Sequence, residues 1–202
     1  MDMSNNIAQQ KFTTFNSQLF TQRKSGLWVP TKVITSSSAV GKTYIAQKYD
    51  GIVDLSARRF MESDFNEAHS ATDYERTKMI NYSNPSYPYN YIDAIHEYEK
   101  MEDVQLILVA FLIEKLTMPE FSQYVDENLD FLVALPRLSM LDELWKRMEL
   151  RGNNEEFINL LKEYYPQIIE NFGHSGMVVE DGEYLEDSFR RHGLLNDNSL
   201  NI

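Results

Sequence analysis

The run Val104-Gln105-Leu106-Ile107-Leu108-Val109-Ala110 is apolar at almost every position. A strand with two apolar faces must be covered on both, which is the situation of a central strand in a parallel sheet between helices. Shorter runs of the same kind recur. Lys32-Val33-Ile34-Thr35 is rich in β-branched residues, Gly51-Ile52-Val53-Asp54-Leu55-Ser56 reads as a second short strand, Leu129 to Leu135 ends at Pro136, and Met177-Val178-Val179-Glu180 comes last. Between them the apolar residues change to helical spacing. Tyr91, Ala94, Ile95 and Tyr98 fall at i, i+3, i+4, i+7 behind Asn90, a candidate cap. Leu138, Leu141, Trp145 and Met148 mark one helix face, and Phe157, Leu160, Leu161, Tyr164 and Ile168 the next. Thr117-Met118-Pro119-Glu120 reads as a capping box with proline early in a helix, and a short helix is expected from about Tyr184. Strands alternating with helices predict a three-layer α/β domain with a mainly parallel sheet.

The flanks differ from this body. Residues 1–26 are rich in Asn, Gln, Thr and Ser with scattered Phe12, Phe15, Leu19 and Phe20, and are expected to form a peripheral arm or short helix resting its aromatics on the domain. Residues 61–89 are polar and close with Asn84-Pro85-Ser86-Tyr87-Pro88-Tyr89, where two prolines favour a loop. Residues 192–202 read as a polar tail. The body, 27–191, is one domain.

Composition narrows the function classes. The apolar run from Leu106 to Ile113 is the longest in the chain and far short of the roughly 20 residues that span a bilayer, so no membrane association is expected. The start, Met1-Asp2-Met3-Ser4, lacks the basic and apolar blocks of a secretory signal. With no cysteine, disulfides and thiolate metal sites are excluded, and a cytoplasmic location is expected. His69, His96, His174 and His192 have no metal-ligand spacing. Lys and Arg number 19 against 31 Asp and Glu, a formal charge of −12 that argues against a nucleic-acid partner. A phosphate-handling site would therefore have to be small and locally positive.

Residues 36–43, Ser36-Ser37-Ser38-Ala39-Val40-Gly41-Lys42-Thr43, supply one. They match the phosphate-loop (Walker A) pattern G-x-x-x-x-G-K-[ST] except that Ser36 stands where the first glycine would be. Serine at that point is costly only if its φ is positive. A Gly-Lys-Thr triplet says little alone, but this one follows a β-branched strand and opens a helix, as the motif requires. The backbone N–H groups of Ser37, Ser38, Ala39, Val40 and Gly41, with the helix N-terminus, would hold phosphates. Lys42 would reach the terminal phosphates and Thr43 would ligate Mg²⁺.

On this loop, with Val53-Asp54-Leu55-Ser56 and Phe60, Tyr87-Pro88-Tyr89-Asn90-Tyr91-Ile92 ahead of a helix, and Arg147-Met148-Glu149-Leu150-Arg151-Gly152-Asn153 followed by Glu156-Phe157, the chain resembles the P-loop nucleoside monophosphate kinases. It is most similar to small kinase-like proteins encoded by bacteriophages. The resemblance spans residues 31–190. It implies a three-layer αβα P-loop NTPase fold with a five-stranded sheet of order 2-3-1-4-5, ATP and Mg²⁺ as cofactors, an acceptor-binding insertion at 61–89 and a lid at 138–156. It also implies transfer of the ATP γ-phosphate to a nucleoside or deoxynucleoside monophosphate, in the host cytoplasm if the source is a phage, by a monomer or homodimer.

The resemblance carries roles onto particular residues. Arg147 and Arg151, four apart on one helix, would close over the transferring phosphoryl group, or else form a solvated helix face paired with Glu143 or Glu155. Arg137, after the fourth sheet strand, would contact ATP. Asp54 would lie near the metal or the acceptor, Arg58 and Arg59 would bind the acceptor phosphate, and Tyr87, Tyr89 or Tyr91 would be available to stack on its base. No acid follows the central strand, where Val109-Ala110-Phe111 stand, which argues against a motor-type ATPase. Two other readings stay open: a kinase acting on a modified base or hydroxyl in DNA, which predicts a basic groove, and a P-loop-derived interaction protein without turnover.

Overall fold

Strands β4 (Val33–Ser36), β5 (Ile52–Leu55), β6 (Leu106–Ala110), β7 (Leu132–Pro136) and β8 (Gly176–Val179) pair in parallel in the order β5-β6-β4-β7-β8. Counted within the sheet this is 2-3-1-4-5, the order expected from the resemblance. The structure, a computed structural model, describes residues 12–15, 18–63, 82–172 and 176–195. The centre of the insertion, 64–81, lies outside the described residues, as do residues 1–11 and 196–202.

Alternation along the central strands sends neighbouring side chains into two separate cores. Val33, Ile107 and Val109 pack with Tyr91, Ile92 and Ile95 of α3 (Tyr89–Glu99) and with Phe121 and Val125 of α5 (Pro119–Asn128). Ile34, Leu106 and Leu108 face the other way, onto Ile45 of α1 (Lys42–Lys48), Leu144 and Met148 of α6 (Leu141–Leu150), Ile158 and Leu161 of α7 (Glu155–Phe172), and Phe189 of α8 (Leu185–Arg191). Helices thus cover both faces, and each fully buried Leu or Ile contributes about 1.5–3 kcal/mol. Two one-turn helices complete the described set, α2 (Arg58–Met61) and α4 (Glu114–Thr117).

The N-terminal region, expected as a peripheral arm or short helix, is built of strands where it is described. β1 (Phe12–Phe15), β2 (Gln18–Gln22) and β3 (Trp28–Thr31) form a three-stranded antiparallel sheet. Aromatic and β-branched residues suit strands better than a helix, and Arg23 to Leu27 close a turn in which Gly26 takes φ 86. Arg23 pairs with Asp130 and Lys24 with Asp126, while Leu19 is buried in the main core, so the arm is fastened to the domain.

Three local expectations also change. Asn90 lies inside α3 behind Pro88 at the cap, and its amide donates to the Phe60 carbonyl at 3.1 Å. No side chain caps α5: Pro119 starts the helix, but the Thr117 hydroxyl turns back to the Glu114 carbonyl. The expected tail at 192 begins with packed residues, since Leu195 is buried and the Leu194 N–H bonds the Phe189 carbonyl at 2.9 Å.

Gly176 opens β8 beside Val133 of β7, and a Cβ built on it would stand 2.1 Å from the Val133 carbonyl oxygen. That oxygen is backbone and cannot yield without moving the strand. Gly176→Ala is therefore expected to lower the urea unfolding free energy by about 1–3 kcal/mol; an unchanged midpoint would show that β8 does not pack this closely.

Candidate functional site

Parallel pairing brings the carboxyl ends of the strands to one edge, where the loops after β4, β5 and β6 converge, the usual ligand position of open α/β sheets. The loop after β4 turns sharply. Ala39 has φ 61 and Gly41 φ 101, and Ala39 is the one non-glycine residue in the left-handed region among the described residues. This geometry costs an alanine about 1–2 kcal/mol. The surroundings hold it: Ser37, Ala39 and Val40 are buried, and the Leu185 N–H bonds the Val40 carbonyl at 2.8 Å. Ser36, in contrast, ends β4 in extended backbone, so the permissive conformation of glycine is not needed there. The N–H groups of Ser38, Ala39, Val40 and Gly41 make no hydrogen bond to described residues.

The Lys42 ammonium folds back over this loop, 2.7 Å from the Ser37 carbonyl and 3.3 Å from that of Ser36. Beside it, the Thr43 hydroxyl donates to Asp54 Oδ2 at 2.6 Å, joining α1 to β5. A hydroxyl and a carboxylate at this spacing fit Mg²⁺, which commonly takes one or two protein oxygens and fills its shell with water and phosphate. No cluster of three or more acidic or histidine ligands exists among the described residues.

Two cavities adjoin here. The first, about 380 Å³, is lined by Ser38, Gly41, Lys42 and Thr43 with Tyr44 and Tyr184. The second, about 480 Å³, extends over Arg58, Arg59, Tyr82, Glu114, Asn153 and Phe157. Ser38, Thr43, Asp54, Ala110 and Arg151 belong to both walls. Each volume is in the range that holds small ligands.

The structure thus brings Lys42, Thr43, Asp54, Arg58, Arg59 and Arg151 around one pair of cavities, but two expected members stand apart. Arg147 and Arg151 do not share one outlook: Arg147 pairs with Glu143, donates to the Glu183 carbonyl at 2.9 Å and lies 4.0 Å over the Tyr184 ring. Arg137 pairs with Glu180 and lines neither cavity. Arg58, buried, bonds Glu62 at 3.0 Å through Nε.

The tyrosines are also redistributed. Tyr91 is fully buried, donating to the Leu55 carbonyl at 2.7 Å and accepting from the Ala110 N–H at 3.3 Å, so it braces the strand ends instead of stacking on a base. Tyr89 packs edge-on against Phe121 and Tyr124. Tyr87 packs its ring 5.8 Å from that of Tyr82, and Tyr82 lines the second cavity, whereas Tyr87, Tyr89 and Tyr91 line neither of the two.

Glu114 gave no signal in the sequence, because a lone acid at a helix start is ordinary there. In the fold it is a buried carboxyl on the second cavity's wall. Burial pushes it above the usual carboxylate range, against hydrogen bonds from the Tyr87 and Tyr82 phenols. Its Oε2 is buried and has no hydrogen-bond partner among the described residues.

A charged group fixes the far end of the loop's helix. Glu186 of α8 takes hydrogen bonds from Lys48 at 2.8 Å, Tyr49 at 2.6 Å and Arg190 at 3.2 Å. Burial opposes its ionisation, but these donors prevail and hold the carboxyl below its ordinary value.

No protein-family model matches the chain, and no curated protein or solved structure does either.

A carboxyl with a depressed folded-state pKa stabilises above its unfolded pKa and loses that contribution as pH falls through the folded value. Glu186→Gln is therefore expected to cost about 1–2 kcal/mol at pH 7. Urea titrations should find the gap from wild type closing as pH drops from about 5 towards 3; a constant gap would mean that Glu186 acts by shape alone.

Proposed function

We propose that the chain is a P-loop kinase that moves the γ-phosphate of ATP onto a nucleoside or deoxynucleoside monophosphate. The observation that carries this reading is the pair of adjoining cavities. One is walled by the phosphate-loop residues, the other by Arg58 and Arg59, and they share Thr43, Asp54 and Arg151. Phosphoryl transfer asks the protein for alignment and positive charge more than for covalent chemistry.

In this reading the loop amides of Ser38 to Gly41 and the Lys42 ammonium hold the ATP phosphates. Lys42 exchanges its carbonyl partners for phosphate oxygens. Arg59 and Arg58 bind the acceptor's 5′-phosphate, and an oxygen of that phosphate attacks the γ-phosphorus while the bond to the β-phosphate oxygen breaks, releasing ADP. Arg151, on both walls, stands where charge spreads over the phosphoryl oxygens. Arg147 with Tyr184 supports the first cavity's rim without touching the reacting atoms. Thr43 and Asp54 would hold Mg²⁺, which when bound screens the phosphate oxygens and helps the leaving group depart.

A free nucleotide suits this surface better than DNA. Arg23, Lys24, Arg137 and Arg191 are each paired with a carboxylate, so they lend little field to a basic groove, and the chain carries −12 overall.

With Mg-ATP and a panel of nucleoside monophosphates, at least one acceptor should raise ADP formation well above background. Lys42→Ala should reduce that rate by about 10²-fold or more. If no acceptor stimulates ADP release, or if Lys42→Ala turns over like wild type, the proposal is wrong.

A further inference from the structure

Arg58 and Arg59 are neighbours in sequence and both line the 480 Å³ cavity, but they stand in different surroundings. Arg59 is exposed and makes no hydrogen bond or ion pair among the described residues. Arg58 is buried, and its Nε donates to Glu62 Oε1 at 3.0 Å, with only 7% of the one side chain and 3% of the other exposed. Glu62 itself lines neither cavity.

An acid in this place needs a reason. It sets negative charge behind a wall read as anion-binding, and withdrawing two ions from water costs much of what their attraction returns. What the pair adds is a fixed guanidinium. The single turn that carries it, α2, is tied down as well: the Asn90 amide donates to the Phe60 carbonyl at 3.1 Å and the Asn84 N–H to the Met61 carbonyl at 2.8 Å. With the backbone held by those bonds and Nε by Glu62, Arg58 is fixed at both ends of its side chain.

We propose that Glu62 is a positioning residue for the acceptor's phosphate, acting through Arg58 and touching no ligand itself. This rests on the reading of the second cavity as the acceptor site. Directed recognition of a phosphate needs the guanidinium plane aligned with the oxygens it meets. An arginine already held in one orientation loses less freedom when the ligand arrives, so more of the interaction appears as affinity. Arg59 then supplies charge from an open side chain and Arg58 supplies a fixed direction. A Glu62 that was only a neighbouring charge would act in the opposite sense, since removing it would lift a repulsion and tighten phosphate binding. The sign of the change therefore separates the two roles.

The test measures binding and does not depend on turnover. Wild-type protein is titrated calorimetrically with the 5′-monophosphates of adenosine, guanosine, cytidine, uridine and thymidine. The tightest of these, and Mg-ATP, are then titrated into Glu62→Ala, Arg58→Ala and the double variant. Glu62→Ala should weaken the monophosphate by about tenfold or more and leave Mg-ATP within about twofold. Once Arg58 is gone, removing Glu62 should change monophosphate affinity by less than about twofold, because a residue that acts through Arg58 has nothing left to act on. Monophosphate binding by Glu62→Ala that equals or exceeds wild type, an equal loss for Mg-ATP, or losses that add in the double variant each overturns the role of Glu62 while leaving the kinase reading intact. Circular dichroism establishes that the variants are folded. If Glu62→Ala is not, wild-type protein decides by NMR: the Nε–H resonance of Arg58 should shift with the monophosphate and hold still with Mg-ATP, and a resonance that the monophosphate leaves unmoved overturns the proposal. Binding of Mg-ATP with no binding of any monophosphate would instead overturn both readings.

Discussion

Ser36 on β4 lies level with Ala110 on one side and Ala134 on the other, and Leu55 of β5 lies level with Val109. Parallel pairing in this register ends three neighbouring strands at the same height. The loops that leave them must then share one edge, and everything in the candidate site descends from that. Thr43 reaches Asp54 only because α1 rises from β4 while β5 ends two strands away, across β6. Tyr91 holds the register at the same level. Its hydroxyl joins the Leu55 carbonyl to the Ala110 N–H, a cross-tie between two strand ends made by a helix on the opposite face.

The fold was largely readable because its signals are local and repeated. A doubly apolar run such as Leu106–Ala110 has few alternatives to a covered central strand, whereas the face read as Leu138, Leu141, Trp145 and Met148 is only partly buried: Leu138 is exposed ahead of α6, and Leu144 and Met148 are the buried positions. The strands of the N-terminal arm were not legible because its composition is polar; what makes it a sheet is pairing with itself and two ion pairs to the body, and neither is visible in a window of residues. Within the site, the meeting of Lys42, Thr43 and Asp54 was legible, since residues 36–43 are contiguous and Asp54 sits on the next strand. Glu114 and Tyr82 were not. They meet only through the fold, and each alone resembles any surface residue. Of the two readings open for Arg147, the helix-face pairing with Glu143 one turn earlier is the one present, and the Tyr184 ring, which no helix spacing reveals, lies under its guanidinium.

The net charge of −12 is better understood pair by pair. Lys48, Arg190 and Glu186 form one group, which ties the end of α1 to α8, and Arg191 with Glu183 another. Cations held this way neutralise their own neighbours and project little potential. Among the hydrogen bonds of Lys42 are two to main-chain carbonyls, those of Ser36 and Ser37, which hold its ammonium over the loop after β4.

Ala110 gives this arrangement its shape. Many nucleotide-hydrolysing sheets carry a carboxylate at the end of the central strand; here that position is a small apolar side chain, and the carboxylate nearest the loop hydroxyl comes from Asp54 on the edge strand. Ala110 lies on the wall of both cavities, at the point where they run together. A larger acid there would stand between them, whereas an acid on β5 leaves the passage open and still faces Thr43. Displacing the carboxylate by one strand keeps it within hydrogen-bond reach of the Thr43 hydroxyl while the end of the central strand stays small and apolar on the wall of both cavities.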